Sequence, residues 1–214
     1  MSGIVYLALH YQNENCHADG RIPFGMDKHA HAWRASMLAA ARRMAESARR
    51  HGIPIIHVQL ETEPDHADVI ANCPIFGSFR ERGAWPRGSW GARFIDGLEP
   101  QAGELVVPHG RNSAFYGSRL PEYMAWLKPD WLIISGVSTA YVVETTVRHA
   151  ADIGYRLVVP HDACSTFRRD FHQASLRAMS LLARIAAVDE IDAALDSEDG
   201  LASLPFELCE AESF

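Results

Sequence analysis

The feature that most constrains this chain is an alternation of short, almost uninterrupted apolar runs with stretches of three- and four-residue apolar spacing. The runs are GIVYLALH (Gly3 to His10), PIIHVQL (Pro54 to Leu60), ELVVP (Glu104 to Pro108), WLIISG (Trp131 to Gly136) and YRLVVP (Tyr155 to Pro160). A strand with one wet face alternates polar and apolar residues; these do not, so both of their faces are expected to be covered. The segment from His31 to Gly52 reads as a helix closed by a glycine stop. Helical spacing recurs at about Ser89 to Leu98, Arg119 to Leu127, Thr139 to Ile153 and Asp170 to Ala186, and VDEIDAAL near the end reads as a short strand running into a helix. Parallel strands need long crossovers and helices supply them, so the alternation predicts an α/β three-layer sandwich, a mostly parallel central sheet with helices on both faces.

Composition narrows the partners. With 20 basic against 27 acidic residues the formal charge is −7, and no basic run occurs, so neither nucleic acid nor an anionic membrane surface is expected. No apolar stretch approaches the ~18 residues of a membrane span, and MSGIVYLALH lacks the basic start and small-residue cleavage site of a signal peptide, so a cytoplasmic location is expected. Cys16, Cys73, Cys164 and Cys209 form no CxxC pair, the pattern of reduced thiols. The 214 residues have one even composition and no linker, which predicts a single domain over residues 1–214. Glu61 to Gly88 has Pro, Gly and aromatic residues without a clean period and reads as a long excursion over the sheet edge.

A parallel sheet of this kind binds ligands at the carboxyl ends of its strands. The residues arriving there are His10, Tyr11 and Gln12, then Glu61, His109, Gly136 to Ser138, and His161 with Asp162. An imidazole exchanges protons near neutral pH, so His10 and His109 suit acid and base work, although strand-end histidines also serve as hydrogen-bonded structural residues. Ser138 and Thr139 open a helix, where such residues ordinarily cap. No GxSxG elbow, GxxxxGK loop or GxGxxG turn occurs, which removes the main support for serine-hydrolase, P-loop and dinucleotide readings.

LALHYQNEN, HGRNSAFYGSRL and GVSTAYVVETTVRHAADIGYRLVVPHDACSTF, in this order at these strand ends, resemble the motifs of the isochorismatase-like, or cysteine hydrolase, superfamily of small-molecule amidases and isochorismatases. The resemblance implies a Rossmann-like fold, a cis peptide between Val137 and Ser138, an oxyanion site at the amides of Ser138 and Val142, and family positions at Gln12, Arg111, Ser113 and Phe115. It also aligns the family's catalytic aspartate, lysine and nucleophilic cysteine with His10, His109 and Val142. Valine has no lone pair, so a covalent step at this position is excluded.

Two facing imidazoles repel a shared double charge and burial disfavours it, so at least one of the pair is expected to stay unprotonated at pH 7, with one acid and one base as a natural state. The substrate site is assigned to Gln12, Tyr11, Arg111, Phe115, Ser138, Tyr141 and Val142, with Trp85 and Trp90 as further walls. No cofactor is expected. A zinc-like divalent metal on the two histidines with Glu61, Asp65 or His66 is the alternative, although the spacing of the family's metal ligands is not reproduced after Val58-Gln59-Leu60. Cys16 reads as a bystander and Cys164 as a buried small residue. Two functions follow: a hydrolase of a small amide, ureido compound or enol ether that uses His10 and His109, or a catalytically silent member that binds a ligand or serves as a structural subunit. A homo-oligomer is expected by analogy with the family.

Overall fold

A computed structural model describes residues 3–22 and 31–206. Its elements are β1 (Ile4–Leu9), α1 (Asn13–Cys16), α2 (His31–Arg50), β2 (Ile55–Leu60), α3 (Pro74–Glu81), β3 (Leu105–His109), α4 (Leu120–Leu127) and β4 (Trp131–Gly136). After a π-helical turn over Thr139–Val143 come α5 (Glu144–Ile153), β5 (Arg156–Pro160), α6 (Arg169–Met179), β6 (Arg184–Ala186) and α7 (Val188–Leu195). The six strands form one parallel sheet in the order β3-β2-β1-β4-β5-β6.

Alternate residues of β1 explain the uninterrupted apolar run. Tyr6 and Ala8 pack with Met37, Ala41 and Met44 of α2 and with α7, whereas Val5, Leu7 and Leu9 join the cluster containing Met124 of α4, Val147 of α5 and Leu176 of α6. Both faces are dry, as the missing alternation requires. The chain leaves β1 toward β2 on one side and returns at β4 on the other, so the crevice at the carboxyl ends of β1 and β4 is the topological switch point. Gly136 is needed there, because a Cβ on it would lie 2.3 Å from the Leu9 carbonyl oxygen. Among the described residues no helix is long and apolar enough to cross a membrane.

Four expectations fail. Residues 89–98 form turns instead of a helix, because their backbone bonds the residues that follow β1: Arg93 and Gly91 accept from Asn13 and Glu14 at the start of α1, and the Ile95 amide gives to Tyr11. The helix expected to run to Ala186 stops at Met179, and Arg184–Ala186 instead pairs beside β5 as a sixth strand. VDEIDAAL is wholly helical, its strand lying just upstream, with the Asp162 carboxylate receiving the first helical amide at Val188. Within the excursion, Pro74–Glu81 is helical.

Candidate active site

The chain turns sharply out of β1 at His10, whose φ of 57° is unusual for a residue with a side chain. Its amide is tied to the Val58 carbonyl at 2.9 Å, so the strand continues to pair with β2 while the imidazole swings toward β3. His109 ends β3, two strands away, and Nε2 of the two rings meet at 2.5 Å with centroids 4.8 Å apart. Both residues are buried, at 3% and 5% exposure. One nitrogen must donate and the other accept, so the contact requires at least one neutral ring.

Burial, and then the neighbouring His109, hold the His10 imidazole well below its ordinary range. Burial lowers His109 to about 4, and the backbone of Ser113 offsets part of that drop. Nδ1 of His109 makes no direct hydrogen bond. No carboxylate compensates either ring, so both are neutral at pH 7.

His10 lines a cavity of about 20 Å³ with Ser138, Tyr141 and Val142 of the β4–α5 turn, Asn15 of α1 and Trp85 of the loop after α3. The peptide between Val137 and Ser138 is cis. Ser138 turns its hydroxyl to Thr166 at 2.6 Å, and Thr139 bonds Nδ1 of His172 at 2.9 Å, so neither hydroxyl caps the helix that follows. Val142 is 2% exposed and presents only methyl groups. Burial pushes the Cys16 and Cys164 thiols up to about 12, and neither lines the cavity.

The remaining residues assigned from sequence go elsewhere. Gln12 is a fully buried staple: its amide nitrogen donates to the carbonyls of Leu60 and Ala92, and its oxygen receives the Leu60 amide at 2.7 Å. With those bonds made it supports the walls and does not line the cavity. Tyr11 points beneath the sheet ends, donating to the Ala163 carbonyl at 2.6 Å and meeting Ser135 at 2.8 Å. Phe115 stacks on Tyr155 in the α4–α5 core. Arg111 lies 4.3 Å over the Phe76 ring and donates to Ile70 and Asn72, tying down the excursion. Trp90 is half-exposed against His17.

Glu61 is paired with Arg87, Asp65 receives the Ala67 amide, and His66 faces the Ala84 carbonyl, so none of the three reaches toward the histidine pair. Among the described residues no group of three or more His, Cys, Asp or Glu side chains is placed to hold a metal ion. The sequence reading did not single out Asn15, Asn112, Leu60, Ile75 and Phe79, all of which line the cavity. Asn15 lay within the quoted QNEN stretch, whereas the lining role of α3 had no sequence signal because its helix was unexpected.

Comparison with known proteins places this geometry in context. The isochorismatase domain profile matches residues 5–190. The N-carbamoylsarcosine amidase of Arthrobacter sp is 26% identical over 136 residues, which are 59% of this chain and 48% of that protein. A ureidoacrylate amidohydrolase of Pseudomonas savastanoi pv. phaseolicola is 29% identical over 160 residues, 67% of this chain and 64% of the relative. The chain thus spans about half of the first relative's length. Among solved structures, the cysteine hydrolase from Pseudomonas syringae pv. phaseolicola 1448A superposes with a TM-score of 0.78 at 16% identity, covering 89% of this chain and 91% of that one. An isochorismatase family protein from Desulfovibrio vulgaris gives 0.75 at 23% identity, covering 92% and 100%. At these identities the two superpositions speak to the fold.

Proposed function

The chain belongs to the isochorismatase family, and from that premise we propose that it hydrolyses a small amide or ureido compound without a covalent intermediate, using His10 and His109 as base and acid. The observation that carries this reading is the 2.5 Å contact between two buried, uncompensated imidazoles at the carboxyl ends of β1 and β3, one of which lines the cavity. The relatives named for carbamoylsarcosine and ureidoacrylate hydrolysis favour a carbonyl flanked by nitrogen as the target.

In this mechanism His10 takes a proton from water as the water oxygen adds to the substrate carbonyl. The new imidazolium shares its charge with His109 through their common hydrogen bond. The oxyanion is assigned to the amides of Ser138 and Val142. When the C–N bond breaks, the histidine pair returns the proton to the departing nitrogen. Val142 offers no nucleophile, and thiols held at about 12 are almost wholly protonated at neutral pH, so water is the attacking group.

The second reading is a silent, ligand-binding or structural family member. It is favoured by the small volume beside His10, about 20 Å³, and by apolar neighbours such as Leu60, Ile75 and Phe79. One assay separates the two. N-carbamoyl amino acids, ureido acids, primary amides and vinyl ethers are offered to the native protein, His10→Ala and His109→Ala, with and without chelator. The hydrolytic reading expects turnover of a carbamoyl or ureido substrate, a loss of about 100-fold or more in each variant, and indifference to chelator. Equal rates in all three proteins overturn the histidine mechanism, and no turnover across the panel leaves the silent reading.

A further inference from the structure

We infer that the cavity beside His10 is a seat for a single water molecule, held by the indole N–H of Trp85, the side-chain oxygen of Asn15 and the His10 imidazole. Trp85 has no exposed surface, and its Nε1 has no hydrogen-bond partner. Asn15 is 1% exposed; its amide nitrogen donates to the Val137 carbonyl at 3.3 Å, and its Oδ1 has no partner. Both residues line the same small cavity as His10. Buried polar atoms are almost always satisfied, and here the two residues that carry an orphan donor and an orphan acceptor line one space.

Size and charge select the guest. About 20 Å³ exceeds the roughly 10–15 Å³ that one water needs and is far below the hundreds of Å³ of a substrate pocket. A cation would find no carboxylate among the lining residues, and an anion would face the Asn15 oxygen. A neutral molecule that both gives and accepts hydrogen bonds fits, and water is the smallest.

The seat also orders the histidine pair. Water accepting from Trp85 has two protons to give, one to Asn15 and one to the His10 nitrogen that His109 does not use. His10 then donates its Nε2 proton to Nε2 of His109, which as a neutral ring carries its own proton on Nδ1. The inference stands on geometry and does not need an activity; under the hydrolytic reading the same molecule is the one His10 deprotonates.

The test is water-selective NMR on the full-length, nitrogen-15-labelled protein. Of the five tryptophan indoles, the one missing from Trp85→Phe is expected to show a direct rotating-frame Overhauser peak to long-lived water, reduced several-fold in Asn15→Leu. Absence of that peak, or its full retention in a folded Asn15→Leu, overturns the seat. Should Asn15→Leu not fold, a high-resolution crystal structure of the native protein decides, through a solvent peak within about 3.2 Å of both Trp85 Nε1 and Asn15 Oδ1 or its absence. Turnover measured on the same sample separates the two proposals. An active protein without the peak retains the hydrolytic reading alone, and an inactive protein with the peak retains the seat alone.

Discussion

Two histidine clusters sit on adjoining strands of one sheet and meet burial with different partners. His57, in the middle of β2, sets its Nε2 2.8 Å from the Glu104 carboxylate, which also receives Arg49 at 2.7 and 3.0 Å and the Gln101 amide. Burial lowers His57, but the carboxylate works against it. Burial likewise opposes ionisation of Glu104, yet hydrogen bonds from Arg49, Gln101 and His57 hold it at about 2. This cluster is a pin that fastens α2 to β2 and to the start of β3. His10 and His109 are about as buried and have no carboxylate: at His10 the neighbouring ring adds to the push of burial, and at His109 only the Ser113 backbone works against it. The contrast teaches that burial pushes every one of these imidazoles down, and that the partner decides how far: a carboxylate works against the push at His57, and none does at His10 or His109.

Acid titration should separate the clusters most strongly. A buried histidine whose folded pKa is about 4, against ~6.5 unfolded, binds fewer protons folded than unfolded between those values, so stability is full above pH 6.5 and falls as pH drops toward 4. His109 is expected to cost up to about 3 kcal/mol over that range, roughly 1.4 per pH unit. Urea unfolding at stepped pH measures the slope, and His109→Asn should flatten it; an unchanged slope would mean that the ring is charged or exposed. His10, His57 and His172, which burial also lowers, supply the residual slope.

Breaking the pin comes next. Glu104→Gln removes the charge that both His57 and Arg49 use, and a loss of about 2–3 kcal/mol is expected at pH 7 because the cluster is largely but not wholly buried. Urea unfolding reads it, and turnover of the surviving folded protein should stay near native. The smallest effect is Arg49→Lys, which exchanges a two-pronged contact for a point charge and should cost about 1 kcal/mol while leaving the slope between pH 4 and 6.5 intact. A changed slope in that variant would show that the two clusters are coupled.

The sheet was legible because its strands are dry on both faces, and the carboxyl-end rim followed from strand direction. His10 and His109 could therefore be named together before any geometry was known. Residues 89–98 were misread because their helical spacing is local, whereas their backbone bonds a distant segment. The close fit of Gly91 against Glu14, where a Cβ would lie 1.9 Å from the carboxylate, is likewise a contact between segments far apart in sequence. Gln12 and Tyr11 were placed correctly at the rim and wrongly in the cavity. A strand end fixes where the backbone arrives, while hydrogen bonds to Leu60, Ala92, Ser135 and Ala163 fix where the side chains turn.

The sequence by itself determined the layered α/β architecture, the rim and the aliphatic residue at position 142, since burial pattern and residue chemistry are properties of the chain read in order. Tertiary structure alone decided that two imidazoles touch, and that Asn15 and Trp85 line with His10 a space of about 20 Å³. Those outcomes depend on loops packing across 50 or more residues of separation, and periodicity, which is a local signal, carries no information about which side chains will share a cavity.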